Sequence, residues 1–177
     1  MDSVSARIAG FGIAIAVACG SARAGDSLET GIKATYLYKF APFVEWPANA
    51  FASADAPITI CVSGGDPFGP SLDQVAGRER VAGRAIAVRH VGALAAGSGC
   101  QIAYLSGSAD QSIEQALEVL RGQPVLTVTD GADQGVHGVI SFVIADGRVR
   151  FQIDNALAEE NHILISSKLL SLAVQAR

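Results

Sequence analysis

Two cysteines, Cys61 and Cys100, have the most distinctive chemistry in the sequence. The chain has one further cysteine, Cys19, which lies in an N-terminal segment considered below. In an exported protein an even pair of cysteines usually forms a disulfide, because the compartment is oxidising. We therefore predict a bridge between Cys61 and Cys100, with two separate buried thiols as the alternative.

Asp130, Asp133 and His137 come closest to a catalytic pattern. A carboxylate–imidazole pair in this glycine-rich loop could act as a general base in a hydrolase. No nucleophile motif such as G-x-S-x-G accompanies the pair, so a hydrolase is the weakest of the functions that we retain. The three histidines, which include His90 and His162, lack the paired spacing of a metal site, and we predict neither a metal nor another cofactor.

The segment Ser63-Gly64-Gly65-Asp66 lies between a predicted strand and a predicted helix, as a phosphate-binding loop does. Asp66 would repel a phosphate and the G-x-x-x-x-G-K-[ST] motif is missing, which favours an ordinary tight turn. A pocket at the carboxyl ends of the strands, near residues 64–68, could still hold a ligand. A small-molecule-binding sensor protein is therefore one alternative function.

The first segment, residues 1–24, has the pattern of a secretory signal peptide. Arg7 precedes an apolar run over residues 8–19, and Ala22-Arg23-Ala24 offers a cleavage site. This run is shorter than the roughly 20 residues that span a membrane. We predict export with cleavage after Ala24, a mature domain of residues 25–177 and no membrane insertion of that domain. Lipidation of Cys19 is the alternative.

Composition excludes two classes of protein. Half of the residues are hydrophobic and 17% are charged, which excludes a disordered chain. The formal charge of −4 and the pI near 5.3 provide no basic field, which argues against a nucleic-acid-binding protein.

The elements that must position these residues follow from the hydrophobic periodicity. An amphipathic helix is predicted to open at Ser27, with a stripe of apolar side chains at every fourth position, a kink at Pro42 and a stop at Pro47. A second helix is predicted to open with Asp66 at its N-cap and Pro67 at its first position. The apolar stripe of the first helix consists of Ile32, Tyr36, Phe40 and Val44, flanked by Leu28, Leu37 and Phe43. Strands are predicted over residues 58–62, 85–91, 101–105 and 125–128, and further helices over residues 112–120 and after Ser166.

A β-hairpin over residues 139–153 is the clearest local signal, because Asp146-Gly147 forms a two-residue turn between alternating runs. Pairing across this turn places Ile144 opposite Val149, Phe142 opposite Phe151, and Ile140 opposite Ile153. Strands that alternate with helices predict a mainly parallel sheet. The predicted fold class is thus a single α/β domain with a mixed, mainly parallel sheet, flanking helices and an antiparallel hairpin near the C-terminal part.

Six segments together resemble the YfiR family of small periplasmic proteins, in order along nearly the whole mature chain. They are Lys33-Ala34-Thr35-Tyr36-Leu37-Tyr38-Lys39-Phe40 with Phe43-Val44-Glu45-Trp46-Pro47; Ile60-Cys61-Val62 with Gly65-Asp66-Pro67-Phe68-Gly69; Cys100-Gln101-Ile102 to Leu105-Ser106; Val125-Leu126-Thr127-Val128 with Asp130; Gly138 to Phe142 with Val149-Arg150-Phe151-Gln152-Ile153; and Ile165-Ser166-Ser167-Lys168-Leu169-Leu170.

The resemblance implies a regulatory, non-enzymatic function. Members of the family repress an inner-membrane diguanylate cyclase by binding its periplasmic sensory domain, and release of this repression raises cytoplasmic cyclic di-GMP and favours biofilm. The domain also occurs in sensor histidine kinases, so another sensor is an alternative partner. The resemblance further implies an α/β sandwich that tends to dimerise and a repression that depends on the redox state of the cysteines. A second cysteine pair, which some members carry near the last hairpin, is missing here.

Two stretches could supply the apolar anchors that a partner-binding surface needs. One is the aromatic end of the first helix, Phe43 and Trp46, and the other is residues 163–172. In the second stretch we expect some side chains to serve the core and others to face the partner. The core set is Leu164, Leu169 and Leu172, and the partner-binding residues are Ile163, Ile165, Lys168 and Leu170. The first helix is expected to serve dimerisation or the core, and the alternative is that both stretches belong simply to the core.

Overall fold

The computed structural model describes residues 22–131 and 135–174. The proposed signal sequence therefore lies almost wholly outside the described residues, as do Cys19 and Asp133. The helices are α1 (Ala22–Phe40), α2 (Pro70–Ala76), α3 (Ile113–Leu120), α4 (Asn155–Glu160) and α5 (Ser167–Leu170). The strands are β1 (Val44–Glu45), β2 (Ile58–Ser63), β3 (Arg80–Val81), β4 (Arg84–Val91), β5 (Ile102–Leu105), β6 (Leu126–Asp130), β7 (Ile140–Ala145), β8 (Arg148–Ile153) and β9 (Leu164–Ile165).

The main sheet has seven strands in the order β3-β4-β2-β5-β6-β7-β8. The five strands from β4 to β7 in this order are parallel, while β3 and β8 pair antiparallel at its two edges. All residues of β2 and β5 are buried, as expected of central parallel strands that are covered on both faces. The predicted fold class, a mixed and mainly parallel α/β domain, is confirmed.

The hairpin of β7 and β8 has the predicted register. Ile144 lies opposite Val149, Phe142 opposite Phe151, and Ile140 opposite Ile153. Both turn residues have positive φ, 52° at Asp146 and 67° at Gly147, as a type I′ turn requires. The apolar face of the hairpin is covered by the core at Phe142, which is fully buried. It is uncovered near the turn, where Ile144 is 56% exposed.

The first helix differs from the prediction in its bounds. It begins at Ala22 rather than at Ser27 and ends at Phe40. Pro42 lies in a short 3-10 turn after the helix, so it ends the helix instead of kinking it. A proline removes a backbone donor and disfavours helical geometry in the residue before it. The chain then continues as β1, before it reaches Pro47.

The buried face of α1 also differs from the prediction. Ala34, Leu37 and Phe40 are buried, whereas Leu28 is 67% exposed and Ile32 is 37% exposed. The helix is therefore apolar on two faces, and periodicity alone does not say which of the two packs on the sheet.

The second helix begins three residues later than predicted, at Pro70 instead of Pro67. The Asp66 carboxylate does accept backbone N–H groups, from Phe68 (2.9 Å) and Gly69 (3.2 Å), but it closes a local turn and not the helix. Proline is favoured at a first helical position, and the sequence offers two such prolines. The helix begins at the second of these prolines, so the predicted start at Pro67 is wrong.

A second, two-stranded sheet joins the two ends of the domain. Strand β1 pairs antiparallel with β9, with Val44 opposite Ile165 and Glu45 opposite Leu164. Neither strand was predicted, because two residues are too few to show a period. Helix α5 follows β9 and is capped by Ser166, whose hydroxyl accepts the N–H of Leu169, which confirms the predicted cap.

Candidate functional site

The structure brings together the two stretches that the sequence offers as partner-binding surfaces. Strands β1 and β9 place Phe43 beside the segment after Ile165, and the N–H of Ser166 donates to the carbonyl of Phe43 at 2.9 Å. The Lys168 ammonium lies 5.7 Å from the centre of the Phe43 ring, within the range of a cation–π contact. We refer to Phe43, Leu164, Lys168, Leu170 and Leu172 as the β1–β9 surface.

The division of this segment between core and surface differs from the predicted one at Ile163, Leu164, Ile165 and Leu172, whereas Leu169 is buried as predicted. The buried side chains are Ile163, Ile165 and Leu169, whereas Leu164 is 62% exposed and Leu172 is 58% exposed. Successive side chains of a strand point to opposite faces, so burial of Ile163 and Ile165 turns Leu164 outward. The alternation of the strand is the signal that would have identified Leu164, but β9 is too short to be recognised from the sequence.

The other predicted partner-binding residues are partly accessible. Lys168 is exposed, and Phe43, Trp46 and Leu170 are half-buried. The indole N–H of Trp46 donates to the carbonyl of Gln101 at 3.2 Å, which anchors the ring beside the sheet. Trp46 thus ties the end of β1 to the main sheet, while Phe43 remains on the β1–β9 surface.

Cys61 and Cys100 are joined in a disulfide, the pairing that the sequence predicts. Their Cα atoms lie 5.8 Å apart, and both side chains are buried in a small core between the sheet and α3. Cys61 belongs to the central strand β2, and Cys100 lies just before the neighbouring strand β5. Because the sulfur atoms are buried, a reductant reaches them only when this core opens.

A pocket of about 430 Å³ lies at the carboxyl ends of the parallel strands, where the sequence places a ligand site. Its polar groups include Asp66, Tyr104 and Asp130. The Tyr104 hydroxyl donates to Asp130 at 3.3 Å. Burial, followed by the charge of Asp130, raises the pKa of Tyr104, so this hydroxyl remains a protonated donor.

Lys33 holds the Asp130 carboxylate beside this pocket. Its ammonium donates to both oxygens of Asp130, at 2.8 and 2.7 Å, and to Glu29 one helical turn earlier. Burial by itself lowers the pKa of Lys33, but the hydrogen bonds and charges of Asp130 and Glu29 outweigh burial and raise it. The carboxylate is therefore paired on both oxygens, which suits a structural or ligand-positioning group better than a free general base.

The predicted catalytic pair is not assembled among the described residues. Asp130 contacts Lys33 and Tyr104, whereas His137 lies 3.3 Å from Asp154. Within residues 22–131 and 135–174, no group of three His, Cys, Asp or Glu side chains is placed to hold a metal ion. In the same ranges, no helix is both long and apolar enough to cross a membrane.

Comparison with models of protein families gives a match. A family model described as YfiR/HmsC-like matches residues 30–174, which include α1 beyond its first turns, both cysteines, the hairpin and the β1–β9 surface. No curated protein matches the chain. The matched region covers most of the sequence, as the resemblance of the six segments implies. The chain therefore belongs to the YfiR/HmsC-like family, a regulatory and non-catalytic family whose membership suggests a periplasmic regulator of cyclic di-GMP signalling.

Proposed function

We propose that the protein is exported to the periplasm and represses an inner-membrane diguanylate cyclase by binding its sensory domain, which lowers cyclic di-GMP output. The observation that carries the proposal is the β1–β9 surface, where two leucines, Leu164 and Leu172, are more than half exposed. Clusters of large exposed apolar side chains are typical of protein-binding surfaces, and the pairing of β1 with β9 brings the segment that carries both leucines beside Phe43.

The chemistry of the surface fits a protein partner. Phe43 supplies an aromatic ring, and Lys168 supplies a cation beside it. Apolar anchors enclosed by polar groups carry most of the energy of protein interfaces. The buried side chains of Ile163 and Ile165 hold this segment against the core, which fixes the positions of Leu164 and Lys168.

The test is repression in cells that lack the chromosomal copy of this protein. Wild-type protein should lower cytoplasmic cyclic di-GMP, whereas Leu164→Asp with Leu172→Asp should lose repression at an unchanged protein level. A carboxylate placed in a desolvated interface leaves an unpaired buried charge, which costs several kcal/mol. Lys168→Glu should weaken repression to a smaller extent, because a rim charge contributes less than a central anchor.

Val75→Asp provides the matched control. Val75 is also an exposed apolar residue, at 38%, but it lies on α2, so this variant should repress normally. Equal repression by the wild-type protein and the Leu164→Asp, Leu172→Asp variant would show that the β1–β9 surface is not the contact.

A second candidate function is binding of a small molecule in the pocket that Asp66, Tyr104 and Asp130 line. A tyrosine donor beside a fixed carboxylate suits a ligand that carries hydrogen-bonding groups. Native mass spectrometry of the purified protein distinguishes this function, because a retained ligand would be released by Asp130→Asn and unaffected by Leu164→Asp.

A further inference from the structure

Strand β8 forms one edge of the seven-stranded sheet, and part of its backbone is unpaired. The N–H of Asp154 donates to the carbonyl of Val139, so these two residues form a hydrogen-bonded pair of the hairpin. Hydrogen-bonded and non-hydrogen-bonded pairs alternate along an antiparallel ladder. Val149 and Phe151 therefore belong to non-hydrogen-bonded pairs, and their N–H and C=O groups point away from β7. Val174 donates to the Phe151 carbonyl at 2.9 Å, but within the described part of the chain no backbone group pairs with Val149 on this side.

An apolar wall stands beside this open edge. Leu28 and Ile32 of α1, together with Ile144 of β7, are three of the six large apolar side chains that are exposed in the described residues. They line one groove of about 630 Å³ together with Tyr36 and the β8 backbone. This wall is the second apolar face of α1, which the core leaves unused.

The charged groups at the groove are mostly cationic. Arg148 and Arg150 line it and are exposed, and neither has an ion-pair or hydrogen-bond partner among the described side chains. Glu29 also lines the groove and shares the Lys33 ammonium with Asp130, so the two arginines still outnumber the one acidic group there. Two unpaired arginines are notable in a chain whose formal charge is −4.

The charges of Arg148 and Arg150 favour one kind of segment over another as the strand that pairs with this edge. A second copy that paired through its own β8 would bring like charges together on one face, which is destabilising. Charged residues on an edge strand are a common device against such self-pairing. An acidic segment would instead meet complementary charge.

We infer that the groove between α1 and β8 binds an extended acidic segment of a partner protein, which adds to the sheet as a strand beside β8. Alternate side chains of an added strand point to opposite faces. One set, facing Leu28, Ile32 and Ile144, should be apolar. The other set, facing Arg148 and Arg150, should be Asp or Glu. This groove shares no residue with the β1–β9 surface, and the inference does not depend on the identity of the cyclase.

The probe is a labelled nine-residue peptide in which glutamate and valine alternate, and binding to the purified protein is followed by fluorescence anisotropy. Arg148→Glu with Arg150→Glu should lower the affinity about tenfold or more, since attraction becomes repulsion. Leu28→Ser should weaken binding without a change in charge. Arg78→Glu in the otherwise wild-type protein is the control. Arg78 is exposed next to α2, and the strand that neighbours α2, β4, lies towards the opposite edge of the sheet.

Two further peptides test the strand geometry. N-methylation of every second residue removes the donors from one edge of the peptide only. One of the two alternately methylated peptides should therefore bind like the parent, and the other should lose binding. Equal affinities for the two methylated peptides, whether retained or lost, would overturn strand addition.

Three other results would also overturn the proposal. The Arg78→Glu variant could lose as much affinity as the groove variant, which would show only non-specific attraction. The protein could bind phosphatidylglycerol vesicles in a manner that depends on Arg148 and Arg150, which would assign the groove to a membrane surface. Sedimentation could show a dimer that Leu28→Ser dissociates, which would assign it to a second copy.

Discussion

At the scale of single residues, the contact between Lys33 and Asp130 joins two distant parts of the chain. The two side chains are 97 positions apart, and the lysine side chain is only 8% exposed. A buried ammonium is costly unless it is paired, so this contact fixes α1 against the carboxyl end of β6. Tyr104 completes the arrangement by donating to the same carboxylate.

A double-mutant cycle should measure this contact. Lys33→Met, Asp130→Asn and the double variant should give a coupling free energy of about 1 kcal/mol, because the pair is shielded on one side and solvated on the other. The exposed pair Arg121–Glu118 is the control, and its coupling should stay below about 0.5 kcal/mol. Chemical denaturation gives both values, and equal couplings would contradict the assigned role.

The pH dependence of this contribution follows from the raised pKa of Lys33. A raised pKa means that the folded state holds the proton more tightly, so the contribution is complete below the unfolded value of 10.5. It is lost as the pH rises through the higher folded pKa. Stability near neutral pH should therefore not depend on this lysine's titration.

At the scale of the elements, two glycine turns shape the carboxyl-end pocket. Gly64 follows β2 with φ of +85°, and a Cβ atom there would overlap the carbonyl of Gly107 after β5. The same carbonyl accepts the N–H of Gly65 at 3.2 Å. The turns after two neighbouring strands are thus in backbone contact, which only glycine at position 64 allows.

Gly64→Ala should lower the free energy of unfolding by about 2–4 kcal/mol, because it combines an unfavourable φ with a backbone overlap. Gly83→Ala separates these two terms, since Gly83 has nearly the same φ, +82°, but open space around its Cα. That control should cost about 1 kcal/mol, the conformational term alone. Equal losses in thermal or urea denaturation would contradict the overlap.

Elements that span several periods of the hydrophobic pattern were predictable from the sequence, and elements of only two residues were not. The hairpin register followed from the alternation around Asp146-Gly147, and α3 followed from Ser112 and its apolar spacing. Strands β1 and β9 form through contact with each other, which local pattern does not encode. The pairing brings residues 163–172 beside Phe43, and partner binding by this segment stays a prediction. Its inward and outward side chains differ from the prediction at Ile163, Leu164, Ile165 and Leu172, because they depend on that pairing.

At the scale of the whole molecule, the disulfide ties the central strand β2 to the segment just before β5, inside the small core against α3. It closes a loop of 39 residues, which corresponds to about 4 kcal/mol of chain entropy. Replacing both cysteines by alanine should lower the free energy of unfolding by about 2–4 kcal/mol, and thiol labelling of the unfolded wild-type protein should find no reactive sulfur. Since the bridge is buried and shares no residue with the β1–β9 surface, reduction should weaken repression mainly by loosening the fold. A stable but inactive cysteine-free variant would instead indicate a direct redox switch.

The pairing of β1 with β9 has a consequence for the order in which the protein folds. Val44 lies near the start of the domain, and its partner Ile165 comes 121 residues later (165 − 44 = 121). Contacts of such long sequence separation are slow to form, because the intervening chain must be ordered first. A chain that has not yet been extended to residue 165 lacks β9, so β1 stays unpaired until that strand is present. The β1–β9 surface therefore forms only after β9 has been added, and a shorter chain has no assembled surface with which to engage a partner prematurely.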